Sequence, residues 1–419
     1  MRPPVRLRAF VLAVVLTGTL TGCGATVPGT AAPGEVDLGI LDTGSYRVEP
    51  LDAHDDPYIP PIYDMPIVAG VHQSDYTVTA YDIDPRMTFQ NYAGHVSGGL
   101  PSAFGDYETV DAVLERHPPL YGFATSGVSA GMSDISRGKW PAHGSWPTKN
   151  IPNELTADIA VMQYTDPAAA AAAARELHDT DFAAYREHNE PVTLPGHPGA
   201  HAQWQPGSPY LRAFLAHGPY VIGLLVSAAT PDRDTVAALA DTALTRQLEA
   251  LTRTQPLTDE QVHRLTWDAD GLLAATLNPN RVPVVTSDGS NTVTGRQGFL
   301  HYLDEYSYPD LERARASLDR MGAERVAQSW GTLAIQVADP ESARRAITEK
   351  LFLVPFLGDA AAPANVPDST CVETEMTATD HRFRCLIAYR DRVGIVSADQ
   401  LLDAHQRAAA QFALFANSR

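Results

Sequence analysis

Residue types that can do chemistry gather at four places in the chain. Gly127-Val128-Ser129-Ala130-Gly131 has the spacing of a nucleophile elbow, where a strained turn from strand to helix lifts a serine above a parallel sheet. The stretch that follows breaks at Gly138 and Pro141 without a helical apolar face, and no aspartate or histidine stands out as a partner. It reads as a small-residue loop, with a serine esterase acting through Ser129 as the alternative. His197 and His201 are spaced like two metal ligands on one helix face, but Pro198 and Gly199 between them forbid that helix. Asp268-Ala269-Asp270-Gly271 opens like a calcium loop yet lacks its third oxygen ligand and closing glutamate, so it reads as a turn. These patterns lead us to expect no metal and no cofactor.

The cysteines are the fourth place. Cys23 follows Leu20-Thr21-Gly22, behind an n-region with Arg2, Arg6 and Arg8 and an apolar run from Ala9 to Leu16. Residues 1–22 read as a secretory signal, too short for the roughly 20 apolar residues of a spanning helix. The order Leu, small, Gly, Cys resembles the bacterial lipobox, which implies that Cys23 is acylated and holds the mature chain on the outer face of a membrane. Each buried methylene of such chains contributes about 0.8 kcal/mol. Cys371 and Cys385 remain, an even pair suited to an oxidising compartment. A disulfide closing about 15 residues contributes on the order of 3 kcal/mol in the loop-entropy picture.

The 419 residues carry a formal charge of −19, and removal of the basic signal makes the mature chain more acidic still. Such a field repels phosphate backbones, so no nucleic-acid partner is expected. The acidity reads as solvation of an extracellular surface.

Residues 23–34 are small or proline, a tether that spans about 18 Å as a flexible coil. Residues 35–105 read as an irregular extension, rich in proline and aspartate, with one short helix near Met65. Beyond it the chain repeats itself. Ile159 to Pro167 parallels Leu333 to Pro340: in each an apolar run ends at an aspartate suited to capping a helix, and proline takes the first helical position. Tyr210 to Ala228 and Phe383 to Ala398 each read as two strands around a turn. A helical apolar stripe closes each copy, Val236 to Leu251 in the first and Leu401 to Phe415 in the second. Helices and strands upstream also correspond.

These patterns predict an α+β fold: two duplicated antiparallel-sheet units with helices packed on one face, preceded by the loop-rich extension. The first unit is expected over residues 106–256 and the second, with the disulfide, over 309–419, joined by a segment over 257–308. The copies differ at one connection. In the second, Trp330-Gly331 turns one strand directly into the next, whereas the first has an insertion over 127–154. That insertion holds Trp140, His143, Trp146 and Lys149, and two tryptophans with two of the chain's three lysines mark it as a candidate binding loop.

The lipobox, the opening Val36-Asp37-Leu38 with Leu41-Asp42-Thr43-Gly44-Ser45-Tyr46, and the paired Asp-Pro units resemble a family of uncharacterised lipoproteins of mycobacterial and nocardial cell envelopes. The resemblance implies an envelope location and two lobes, and supplies no catalytic residue. The functional expectation is therefore a lipid-anchored, non-catalytic binding or interaction protein of an actinobacterial envelope. Its partners are the membrane, through the N-terminal lipid, and an envelope ligand or protein. Carriage of an apolar lipid is the third reading, beside the esterase.

Overall fold

The computed structural model describes residues 36–51, 65–96, 105, 107–129, 154–280, 289–303, 311–353, 356–374 and 381–418. Cys23 and the residues Trp140, His143, Trp146 and Lys149 lie outside them. Residues from Gly39 onward form one unit.

The duplication is visible in the sheet order. The first sheet is built from β1 (Phe89–His95), β2 (Tyr121–Val128), β3 (Thr156–Gln163), β4 (Glu190–Val192), β5 (His201–Trp204), β6 (Tyr210–His217) and β7 (Tyr220–Ser227). Its spatial order is β1-β2-β3-β7-β6-β5-β4. The second comprises β8 (Asn291–Gly295), β9 (Ala323–Ser329), β10 (Thr332–Val337), β11 (Phe356–Ala360), β12 (Ser369–Thr374), β13 (Phe383–Tyr389) and β14 (Arg392–Ala398). Its order, β11-β12-β13-β14-β10-β9-β8, is the same path walked again, and each strand pair in both sheets is antiparallel. The α+β duplication expected from the sequence is thus present.

Ten α-helices are described: α1 (Met65–Gln73), α2 (Ala80–Ile83), α3 (Tyr107–Arg116), α4 (Pro167–Ala184), α5 (Arg233–Leu251), α6 (Asp259–Val262), α7 (Arg296–His301), α8 (Leu311–Met321), α9 (Pro340–Thr348) and α10 (Leu401–Asn417). The Asp-Pro units start α4 and α9 as expected. Asp166 Oδ1 accepts from the N–H groups of Ala168 and Ala169, and Asp339 Oδ1 from that of Ser342 at 2.7 Å.

Placing the helices on one face of each sheet is corrected by the structure: they cover both. Val110 and Val113 of α3 and Ala170, Ala174 and Leu177 of α4 pack on Met162 and Phe214. Val236, Ala240 and Leu244 of α5 pack on the opposite face, against Ile159 and Leu224. In the second sheet α8 and α9 cover Ile335 and Leu386, while Gln411 and Phe415 of α10 lie against Gly394 on the other side. The central strands β2, β3 and β7 are buried on both faces, and such strands read as continuous apolar runs rather than alternations. The copies also align one residue away from the Ile159-to-Leu333 match, because those two side chains join clusters on opposite faces. Counting back from the Asp-Pro pairs puts Met162 and Ile335 on equivalent faces.

Each sheet also gains an outer strand upstream of its first expected helix. β1 lies in the stretch read as an irregular extension and β8 in the connecting segment, and both are short and polar, with a register shift in β1 between Gln90 and Tyr92. The short helix near Met65 is α1.

The hairpin between β9 and β10 turns on Trp330 and Gly331, both with positive φ, as a two-residue loop requires. Cys371 and Cys385 face each other in register across β12 and β13, and are joined by the expected disulfide at a Cα–Cα distance of 4.1 Å. The N-terminal strap runs along α10. Gln406 donates to the Asp42 carboxylate, the Tyr46 hydroxyl donates to Asp403 at 2.6 Å, and Asn417 donates to the Val48 carbonyl at 2.8 Å.

Candidate functional site

Each closing helix ties down the segment that leads into its own repeat. On α5, Gln247 accepts from the Val78 N–H at 3.0 Å and donates to the Tyr76 carbonyl at 2.8 Å. On α10, Gln411 accepts from the Leu277 N–H and donates to the Ala275 carbonyl, both at 2.8 Å. The two lead-in segments are thereby fixed between the sheets, where the repeats meet.

His301 at the end of α7 seals this junction. Its Nε2 faces the Thr77 carbonyl at 3.0 Å and its Nδ1 the Thr125 hydroxyl at 3.0 Å, while Phe123 meets the ring edge-on. A carbonyl only accepts, so Nε2 carries the proton and Nδ1 accepts from the hydroxyl. Burial holds the imidazole neutral and lowers its pKa to about 4.

Beside the seal lies a cleft of about 430 Å³ lined by both repeats. From the first come His72, Gln73, Asp75 and Tyr121, and from the second Gly295 and Arg325. Asp75 accepts from the N–H groups of Gly295 and Gly298, each at 2.8 Å, and so caps α7 from outside its own repeat. A side chain at Gly295 would strike that carboxylate, since a Cβ there would sit 2.5 Å from its Oδ1. Burial outweighs these two hydrogen bonds and raises the Asp75 pKa above the usual carboxylate range. His72 is pushed down to about 4, first by burial and then by the nearby Arg325 guanidinium. Tyr121 donates to Gln163 Oε1 at 2.5 Å, and Gln163 in turn holds the backbone of Leu257 at the cleft wall through both its amide atoms.

Two groups in the cleft that can only donate have no acceptor among the described residues, and the buried Thr294 hydroxyl on the same wall has no partner there either. Arg325 pairs through Nη1 with Asp270 at 2.9 Å, but its buried Nε has no hydrogen-bond partner. Gln73 is 3 % exposed and its Nε2 also lacks one. Unpartnered buried donors are rare in folded proteins and ask for an explanation.

A family model described as domain of unknown function (DUF7373) N-terminal matches residues 57–267, and its C-terminal counterpart matches residues 272–418. The chain belongs to the DUF7373 family. Each half of the family thus holds one sheet together with its lead-in segment. The boundary falls at Asp268 to Gly271, a turn in which the Asp268 carboxylate accepts from the N–H groups of Leu273 and Ala274. No curated protein matches the chain.

Ser129, His197 and His201, also singled out by sequence, do not line this cleft. Ser129 sits at the foot of the insertion, where its N–H donates to the Leu155 carbonyl and its Oγ accepts from the Leu155 N–H at 2.9 Å. A backbone N–H cannot take up a proton, so this hydrogen bond supplies Ser129 with no general base. His197 Nδ1 pairs with Asp241 at 2.9 Å, whereas His201 lies against the His178 ring, so the two do not form a ligand pair. No group of metal-ligating side chains occurs among the described residues. Most of the cleft residues escaped sequence reading because they come from the two stretches assigned to extension and connection, while Tyr121 and Arg325 lie on strands of the two units. One trace was there: Gly295 and Gly298 flank the start of a short helix that has no capping side chain of its own.

Proposed function

We propose that this protein is an exported, lipid-anchored binding protein of an actinobacterial cell envelope, non-catalytic, which takes a small ligand between its two repeats. The cleft carries the reading: about 430 Å³ of space, walls from both repeats, and the buried polar groups of Gln73, Thr294 and Arg325 without partners among the described residues. Small-molecule sites typically enclose about 300–1,000 Å³, so the volume suits a small molecule better than a diacyl lipid. The anchoring part rests on the Leu20-Thr21-Gly22-Cys23 pattern. Cys23→Ala should release the chain from the membrane fraction, and mass spectrometry of the mature N-terminus should show the acyl chains.

Native mass spectrometry of protein released from its own envelope tests the binding part. A bound small molecule is expected, and Thr254→Trp, which fills the cleft from a half-buried wall position, should abolish it. A ligand retained undiminished by that variant would refute the cleft as its site.

The insertion offers a second reading, as a partner-facing loop. The observation that favours it is the asymmetry between the tight β9–β10 hairpin and the long β2–β3 connection. Replacing Trp140 and Trp146 together by alanine should then weaken partner capture without unfolding the protein.

A further inference from the structure

We propose that the cleft binds a small organic oxyanion, a carboxylate or phosphate head on a short apolar body. The inference deepens the cleft-binding reading above and depends on it.

The polar inventory of the cleft is lopsided. Gln73 Nε2 and Arg325 Nε are donors that lack acceptors among the described residues, both side chains line the space, and the Thr294 hydroxyl, unpartnered there too, can donate beside them. Two of the nearby acceptors already hold protein donors. Both Asp75 oxygens take backbone N–H groups of the second repeat, and Gln163 Oε1 takes Tyr121 and Leu257. The unpartnered groups that can only donate are satisfied by a ligand that brings acceptor oxygens, and the Thr294 hydroxyl can turn to donate to the same oxygens.

Charge points the same way. The chain as a whole is strongly acidic, yet a guanidinium faces this cleft, and Arg253 lies close enough to act on Asp75. Asp270, which pairs with Arg325, is 59 % exposed and can turn to solvent when a ligand oxygen takes its place. A guanidinium holds planar oxyanions through paired N–H donors. The remaining wall, with Ala69, Leu257, Leu265 and Val293, is apolar and suits a hydrocarbon body rather than a bare ion.

A matched series of probes tests this: octanoate, octyl phosphate, octanol and octylamine, titrated calorimetrically into the full mature chain. Octanoate or octyl phosphate should bind roughly tenfold or more tightly than octanol, with octylamine weakest. The stronger of the two acids identifies the head group. Gln73→Leu and Arg325→Met should each weaken the acids about tenfold and leave octanol unchanged, with circular dichroism confirming the fold. Should either variant fail to fold, Arg325→Lys keeps the charge but loses the Nε donor and should still weaken octanoate severalfold.

Octanol or octylamine binding as tightly as the acids would overturn the proposal, as would acid binding indifferent to these substitutions. A neutral ligand that co-purifies and is lost in Thr254→Trp would overturn it while leaving the cleft-binding reading intact. A chain that binds none of the probes and carries no cleft ligand from its envelope would remove both.

Discussion

The two repeats share one topology and solve the same packing problem with different chemistry. At the register step where the first sheet pairs Ala202 with Ala213, the second pairs Cys371 with Cys385 and joins them covalently. One step along, the first sheet places Gln203 opposite Arg212, and the second places Val372 opposite Arg384. Arg212 is fully buried and pairs with Asp181 at 2.7 Å, with Gln203 donating to the same carboxylate at 2.6 Å. The long helix α4 makes this possible. Asp181 lies fifteen residues beyond the capping Asp166, whereas α9 ends nine residues beyond Asp339 and reaches no such position. One outer half-sheet is therefore held by a buried ion pair under the long helix α4, the other by a disulfide on the face of the sheet opposite the short helix α9.

The comparison is broken most severely by separating the ion pair. Arg212→Met should cost about 3–5 kcal/mol, because it leaves the Asp181 carboxylate buried without its counterion. Adding Asp181→Leu should recover most of that loss, since apolar pairs often replace buried ion pairs at little cost. Denaturant unfolding of the single and double variants reads both. Replacing both Cys371 and Cys385 by alanine, which copies the pairing of the first repeat, should lower stability by about 3 kcal/mol in the same measurement.

Acid should probe the junction that the repeats share. In the unfolded chain a histidine titrates near 6.5, and His301 in the folded chain near 4. The unfolded state thus binds the extra proton first as pH falls. The contribution of His301 is full above about pH 6.5 and drains away as pH drops toward 4, on the order of 3 kcal/mol in all. His301→Gln should flatten that part of the stability profile, measured by unfolding at pH 7, 5.5 and 4.5. The smallest effects sharpen the symmetry. Gln247→Leu and Gln411→Leu each strand one buried N–H and one carbonyl, and should cost about 1–3 kcal/mol apiece. Closely matching losses would mark the two clamps as equivalent parts, and unequal ones would show that one lead-in has found other support.

Much of this architecture could be read from residue patterns. The Asp-Pro helix starts, the Trp330-Gly331 turn and the cysteine pair are local signals, and each sits where local chemistry demands. Which faces the helices cover was less accessible, because doubly buried strands such as Tyr220–Ser227 carry no alternation to give the side away. The outer strands β1 and β8 were hidden for the opposite reason, being polar and held by pairing rather than by apolar periodicity. The cleft was least legible. Gln73, Asp75 and Arg325 lie far apart in the chain, and what makes them a site is the meeting of two repeats. The glutamine clamps were silent for a similar reason, since a buried glutamine in a helix has no signature until its backbone partners are known.

The strap laid along the last helix has a mechanical consequence. A pull on the N-terminal end is passed at once to Gln406, Asp403 and Asn417, so the first element to feel the load is the helix that closes the second repeat. That helix lies on the sheet crossed by the Cys371–Cys385 bond, which places the covalently reinforced half nearest the point where force enters and keeps the cleft one step removed from it.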